Sequence, residues 1–184
     1  LTYSNSEIFN IFKNNKRILF ILIEMKILTI NQSITDLMLK KIYDLEKFYL
    51  RLKGNYGEIN HEHILEKRLE YVNFVCYFLP EINPFLSEIE RSLFEREMSK
   101  QGEFFSDDFE INRRNGENES YICQLIRQDL IDEFVTIVNK TNLSLSIQIH
   151  PSIFETNRFL SKRKSTLIEY AAFFGSIQIF QYLL

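Results

Sequence analysis

Apolar residues recur along this chain at the three- and four-residue spacing of amphipathic helices, which predicts an all-α protein. In the first hundred residues we expect helices over 4–13, 16–28, 31–53, 61–79 and 85–98. For 16–28 a strand is the local alternative, because β-branched residues are frequent there. Further along, residues 143–149 alternate between apolar and polar and predict an extended segment.

The same periodicity assigns side chains to the core. From the first and last of these segments we expect inward-facing Ile8, Ile11, Phe12, Ile89, Leu93 and Phe94. Ser4 or Ser6 is expected to cap the first helix, because a serine hydroxyl accepts from a free amide at a helix start. Residues 80–84 begin and end with proline, which stops helices, and we expect an extended connector there.

A shift in composition at 101–119 divides the chain, since this segment is rich in charge and asparagine and contains two glycines. Such segments are typical of exposed loops. We therefore expect a helical N-terminal domain over 1–100, an exposed linker loop over 101–119 and a second domain over 120–184. Three phenylalanines are unusual in a solvated loop and are expected either to dock on the helices or to contact a partner: Phe104, Phe105 and Phe109.

Residues 166–184 carry the clearest local pattern, two short helices around a glycine. Thr166 and Glu169 have the spacing of a capping box, in which hydroxyl and carboxylate each satisfy a free amide. Gly175 suits the left-handed position that follows a helix C-terminus. An apolar stripe at helical spacing comes next, formed by Ile179, Phe180, Leu183 and Leu184.

This pattern resembles the ankyrin repeat, whose T-P-L-H-x-A-A signature is followed by a glycine and an apolar second helix. The residues at matching positions are Thr166, Ile168, Ala171, Ala172, Gly175, Ile179, Phe180, Leu183 and Leu184. Leu167 stands where the family has proline, and Glu169 where it has histidine. The capping box is therefore expected to replace the usual turn network.

A second, weaker unit is predicted at 120–139. Laying IRQDLIDEFVTIV on AFFGSIQIFQYLL places Asp129 on Gly175 and Phe134 on Phe180, a spacing of 46 residues. A regular ankyrin array has about 33, so we expect an insertion within 141–164. Residues 120–184 would then hold two degenerate ankyrin-like units, the second truncated, and the chain is expected to be a fragment.

The phrases ENESYICQLIRQD, HPSIFETN and TLIEYAAFFGSIQIFQYLL make 120–184 similar to an expanded group of protist ankyrin proteins. In that group a helical N-terminal domain of unknown function precedes the repeats, and YFLPEINPF extends the likeness more loosely into 1–119. The resemblance implies a helical domain followed by an α-solenoid. It also implies a non-catalytic scaffold or adaptor that binds other proteins.

The sequence contains no phosphate-binding loop, dinucleotide fingerprint, hydrolase elbow or CxxC pair. His61 and His63 are two residues apart on a predicted helix, so they point to different faces and do not form a metal pair. A row of glutamates at 62, 66 and 70 is interpreted as a solvated helix face. We therefore expect no enzymatic activity, no cofactor and no metal.

Charge and hydropathy limit the classes of partner that we expect for this chain. A net charge of −3 and a pI near 5.7 give no basic footprint for nucleic acid. The apolar run 18–23 is far shorter than the about 20 residues that a membrane span requires. Two isolated cysteines suit a reducing compartment. We expect a cytoplasmic protein with a protein partner, no nucleic acid and no membrane span.

The ankyrin resemblance implies that the partner binds one exposed face of the repeats. The candidate partner-binding residues are Glu169, Phe173, Phe174 and Gln181. The basic cluster 162–164 is interpreted either as a solvated turn or as a contact for acidic partners.

Two further interpretations of the chain stay open. Residues 1–119 could form a helical ligand-binding or enzymatic domain with an ankyrin targeting arm, or residues 18–28 could attach to a membrane surface.

Overall fold

The structure is a computed structural model that describes residues 3–56, 62–100, 108–162 and 164–184. These residues form α-helices joined by short connections, with one 3-10 turn and no strand among them, and the all-α prediction is confirmed. The chain divides into two compact units, Leu1–Phe109 and Glu110–Leu184. We call them the N-terminal and C-terminal units and describe each by itself.

The helices of the N-terminal unit are α1 (Asn5–Phe12), α2 (Lys16–Glu24), α3 (Gln32–Tyr56), α4 (Glu62–Tyr77), α5 (Leu79–Ile82) and α6 (Glu88–Lys100), with a 3-10 turn at Asn83–Phe85. Helix α7 (Phe109–Asn115) spans the division between the units. The C-terminal unit continues with α8 (Tyr121–Gln128), α9 (Ile131–Thr141), α10 (Arg158–Lys162), α11 (Leu167–Phe174) and α12 (Ile177–Leu183).

In the N-terminal unit α4 packs against α3, α5 and α6, while α1 packs against α2 and α3. The inward face of α2 meets the end of α4, where the buried rings of Phe20 and Tyr77 lie edge to face with centroids 6.0 Å apart. The ammonium of Lys16 lies over the same Tyr77 ring, 5.1 Å from its centroid. One face of α2 is therefore fully engaged with the core of this unit.

Several predicted details of the N-terminal unit are settled by the structure. Ser4 forms a capping box with Glu7, so of the two candidate serines it is the cap. The inward placement of Ile11, Ile89 and Leu93 is wrong, since all three are exposed and the relative exposure of Ile89 reaches 75%. Helical spacing defines an apolar stripe but does not decide which edge of it meets the core.

The extended connector predicted at 80–84 is also wrong, because this stretch forms α5 and the 3-10 turn. Both prolines lie in the first turns of these elements. A first-turn amide has no intrahelical acceptor, so proline loses no hydrogen bond there.

The exposed linker loop predicted at 101–119 requires a correction. Residues 109–115 form α7, with Glu110 in the first turn and two arginines in the last, an order that suits the helix dipole. Phe109, Arg113 and Asn118 are buried, although the composition of the segment is that of a loop. Residues 101–107, which include Phe104 and Phe105, lie outside the described residues.

The C-terminal unit is built from two helical hairpins, α8–α9 and α11–α12, which we call the first and second hairpins. Helix α8 packs against α11, and α9 packs against α12, so the hairpins stack side by side. Ala171 is fully buried and, having only a methyl group, allows close approach at this contact. The shared core contains Cys123, Leu125, Ile126, Phe134, Val138, Leu160, Leu167, Tyr170, Ala171 and Ile179.

The turns of both hairpins adopt the left-handed conformation. Gly175 has φ 71° and Asp129 has φ 52°, each directly after the first helix of its hairpin. The predicted left-handed glycine and the predicted capping box of Thr166 with Glu169 are both confirmed. Aspartate tolerates this region better than most residues with a side chain.

The two hairpins are also joined by polar contacts at their turns. The Asp129 carboxylate accepts from the backbone N–H groups of Gln178 at 3.1 Å and Ile179 at 3.0 Å, which caps the start of α12. The Ser176 hydroxyl donates to the carbonyl of Ile126. Each turn therefore stabilises its neighbour as well as its own hairpin.

The segment between the hairpins is held by hydrogen bonds on both sides. The N–H of Ile149 donates to the carbonyl of Ser165 at 2.7 Å, beside an isolated antiparallel bridge between Gln148 and Thr166. Further on, the N–H and hydroxyl of Thr156 donate to the carbonyl of Gly116 at 3.0 and 2.8 Å. The segment is thus anchored to the C-terminal unit at several points.

Both cysteines are predicted to be unreactive in the folded protein, since Cys76 and Cys123 are fully buried. Burial raises the pKa of Cys123 to about 11, although the Ser120 hydroxyl and the Arg127 charge oppose the rise. Its thiolate fraction at neutral pH is then about a hundredfold below that of an ordinary thiol. Ellman's reagent should label neither cysteine rapidly in buffer and both in guanidinium. Fast labelling in buffer would contradict this prediction.

Candidate partner-binding surface

Four aromatic rings of the C-terminal unit form a continuous series from the surface to the core. The rings of Phe159 and Phe173 are stacked, with centroids 6.0 Å apart and planes 11° from parallel. Phe173 meets Phe174 edge to face at 5.0 Å, and Phe174 meets Tyr170 at 4.8 Å. We call these four residues the aromatic series.

Two helices position the series. Tyr170, Phe173 and Phe174 lie on α11 at three- and four-residue spacing, which brings side chains together on a helix surface. Phe159 comes from α10, where the side-chain oxygen of Asn157 accepts from the N–H of Phe159 at 2.9 Å. The surface pair is therefore assembled from two helices rather than from one.

The inner end of the series is braced by Arg127 of α8. The guanidinium donates to the Tyr170 hydroxyl at 2.8 Å and to the carbonyl of Asn118 at 2.8 Å. It also forms an ion pair with Glu117 at 2.9 Å and lies 5.9 Å from the centroid of Phe174. These contacts fix the rings of Tyr170 and Phe174 in place.

The buried Tyr170 hydroxyl stays neutral at ordinary pH. Burial raises its pKa well above the usual value, and the nearby Cys123 sulfur acts in the same direction. The charge of Arg127 opposes these effects without reversing them. The contact between Arg127 and Tyr170 is thus a hydrogen bond to a neutral phenol, and it is stable across the physiological pH range.

The outer end of the series is open to solvent. Phe159 and Phe173 keep relative exposures of 49% and 44%. Exposed aromatic rings of this kind are enriched at protein interfaces, because each contributes a large rigid apolar area with little conformational freedom to lose. The stacked pair is the most distinctive surface feature of the described part of this unit.

The four candidate partner-binding residues of the sequence analysis lie in different environments in the structure. Phe173 forms the exposed pair with Phe159, whereas Phe174 is half-buried and packs against the core. Glu169 is exposed one turn before Phe173, and its carboxylate accepts from the N–H of Thr166 at 2.8 Å. Gln181 is exposed on α12 and takes no part in the aromatic series.

Sequence reasoning missed Phe159 and the bracing role of Arg127. Phe159 lies within 141–164, where only an insertion was expected, and its partner is fourteen residues further along the chain. The available signal was the phenylalanine itself, beside a run of basic residues at 162–164. Its stacking on Phe173 depends on how α10 lies against α11, which no local pattern specifies.

A small pocket lies beside the inner end of the series, lined by residues that include Asn118, His150, Glu155, Ser165 and Tyr170. Its volume of about 10 Å³ is enough for roughly one water molecule. Sites for small organic ligands are far larger, about 300 Å³ or more. Among the described residues, no group of three or more His, Cys, Asp or Glu side chains is placed to hold a metal ion.

Three comparisons with known proteins find no match. No protein-family model matches the sequence, no curated protein matches it, and no solved structure matches the chain. The resemblance to ankyrin-repeat proteins therefore stays a prediction. In the described ranges, none of the helices combines the length and the hydropathy needed to cross a lipid bilayer.

Proposed function

We propose that the chain is a non-catalytic protein-interaction module, in which a helical N-terminal domain precedes two degenerate ankyrin-like units of an α-solenoid. The first and second hairpins are these two units. The observation that carries the proposal is the exposed, stacked pair of Phe159 and Phe173 on two neighbouring helices. The partner is a protein that covers this pair.

The arrangement of the hairpins supports the ankyrin-like part of the proposal. Each repeat of such an array buries its apolar faces by stacking on the next repeat. Here α8 packs on α11 and α9 on α12, and the left-handed turn residues Asp129 and Gly175 are the pair that the sequence alignment superimposes. The longer spacing is taken up by the connecting segment and α10.

The bracing of the aromatic series supports the interaction part of the proposal. An interface gains affinity when its anchor residues are held in the bound conformation before the partner arrives. Phe173 is fixed from below by Phe174, which in turn contacts Tyr170 and lies near the guanidinium of Arg127. The pair should therefore lose little conformational entropy when a partner covers it.

The proposal is tested by affinity capture with the whole chain and with Phe159→Ala and Phe173→Ala variants. Loss of one aromatic anchor typically weakens an interface by about 2 kcal/mol, or roughly thirtyfold in affinity. We expect a protein retained by the wild-type chain to be lost with either variant. Circular dichroism and thermal melts would establish that each variant is folded.

The matched control is Tyr121→Ala, which removes an exposed aromatic ring from α8 of the same unit. This variant should retain the partner at the wild-type level. If the double variant at Phe159 and Phe173 captured the same proteins with the same affinities as the wild-type chain, the aromatic pair would not be the binding surface.

A further inference from the structure

Helix α2 in the N-terminal unit has an apolar face that points to solvent. Leu19 and Phe20 are buried on its inner side, but Ile18, Ile21 and Met25 keep relative exposures of 37%, 41% and 63%. At 100° per residue these three side chains fall within an arc of about 60°. The outward face is therefore apolar from Ile18 to Met25, the residue that follows α2, where a surface helix normally carries polar residues.

Two further apolar residues near α2 are also exposed. Ile11 is exposed on α1, which packs against α2, and Ile27 is exposed in the turn that follows α2. The five residues Ile11, Ile18, Ile21, Met25 and Ile27 together are called the apolar face. Exposed apolar patches are typical of surfaces that bind another molecule.

The segment that contains the apolar face is cationic, although the chain as a whole has a net charge of −3. The segment 11–27 contains four cationic residues and only one carboxylate, that of Glu24. The cationic residues are Lys13, Lys16, Arg17 and Lys26. Of these, Lys16 points toward the Tyr77 ring, and Lys26 is exposed beside Met25 and Ile27.

An exposed apolar helix face in a cationic segment, with Lys26 exposed beside it, matches the two layers of an anionic lipid surface. Isoleucine and methionine side chains enter the boundary of the acyl chains, while lysine and arginine reach the phosphate groups. Each basic residue near such a surface contributes to the attraction, which salt weakens. A protein groove for the same face would have to supply an acidic rim as well as an apolar floor.

We propose that the apolar face of α1 and α2 docks the chain on the surface of an anionic lipid bilayer. Helix α2 lies flat on the bilayer, with Ile18, Ile21 and Met25 inserted and its inner side still packed on the core. Its N-terminus is already capped, since the side-chain oxygen of Asn15 accepts from the N–H of Ile18 at 3.0 Å. Insertion of side chains therefore requires no rearrangement of the helix.

The test is sedimentation of the whole chain with phosphatidylcholine vesicles, with and without phosphatidylserine. We expect binding to the anionic vesicles, little binding to the neutral ones, and a decrease as salt is raised. The double substitution Ile21→Ser with Met25→Ser removes two apolar side chains from the inserted face. It should lower the partition coefficient by at least about tenfold.

The control is the double substitution Ile89→Ser with Leu93→Ser, which makes the same kind of change at two exposed residues of α6. This control should bind anionic vesicles like the wild-type chain. Failure of the wild-type chain to bind anionic vesicles would overturn the proposal, as would equal binding by the Ile21 and Met25 variant. A dimer in solution that the same variant dissociates, without vesicle binding by the wild type, would assign the face to a second copy instead.

Discussion

Replacing Phe134 by alanine is expected to lower the free energy of unfolding of the C-terminal unit by about 3–5 kcal/mol. The Phe134 side chain is fully buried, and its ring meets Tyr182 edge to face at 6.0 Å. Because Phe134 lies on α9 and Tyr182 on α12, the ring joins the two hairpins. The substitution removes this contact and leaves a cavity between the hairpins.

Urea denaturation followed by circular dichroism would measure the loss, and amide hydrogen exchange would locate it. Exchange should accelerate in α9 and α12, while amides of α4 in the N-terminal unit provide an internal reference. Phe134→Leu keeps most of the buried apolar volume and should cost clearly less. A loss below about 1 kcal/mol for the alanine variant would contradict the role of Phe134 as the contact between hairpins.

Replacing Asp129 by alanine is expected to cost about 2 kcal/mol, because two effects add. The carboxylate that caps the start of α12 is removed, so the N–H groups of Gln178 and Ile179 lose their acceptor. In addition, alanine is placed at φ 52°, where a Cβ is unfavourable and aspartate is better tolerated.

Two further variants separate these effects. Asp129→Gly removes the cap but accepts the left-handed conformation, so its cost should be smaller than that of alanine. Asp129→Asn tolerates the conformation and keeps one acceptor oxygen, so its cost should be smallest. The expected order of stability is therefore wild type, asparagine, glycine and alanine. Equal stability of the glycine and alanine variants would show that backbone conformation contributes nothing here.

The contribution of Asp129 should also depend on pH. Partial burial acts to raise its pKa, but the N–H donors of Ile179 and Gln178 outweigh this effect and hold the pKa below the usual value. Because the pKa of Asp129 is lowered in the folded state, its carboxylate stabilises the protein above the ordinary aspartate pKa of about 3.9. This stabilisation is lost as the pH falls through the pKa that Asp129 has in the folded protein. The stability difference between wild type and Asp129→Asn should therefore shrink below about pH 4.

The candidate partner surface was only partly accessible from the sequence. Glu169, Phe173 and Phe174 could be placed on α11 because the capping box and the glycine define where that helix begins and ends. Which of the two adjacent phenylalanines is exposed depends on the direction from which α8 and α10 approach. The stacking of Phe159 on Phe173 and the bracing by Arg127 are contacts between separate helices.

The apolar face of the N-terminal unit could also be predicted only in part from the sequence. For residues 16–28 the sequence predicts a helix with a strand as the local alternative, and for 18–28 it leaves membrane attachment open, because the composition of the run 18–23 does not separate these interpretations. Packing against Tyr77 assigns Leu19 and Phe20 to the interior, and it leaves Ile18 and Ile21 on the outside. The six residues 18–23 include no polar side chain that would indicate the orientation of the helix, so the neighbouring helices decide it.

By itself the sequence determined the helical class, the cap at Thr166 and the left-handed turn at Gly175. Each of these depends on residues within one turn of helix, where side-chain chemistry acts directly on the backbone. The tertiary structure alone decided the burial of Phe109 and Arg113 in α7, the outward placement of Ile11 and Ile89, and the assembly of the aromatic series. These features depend on contacts between residues far apart in the chain, whose energies local patterns do not contain.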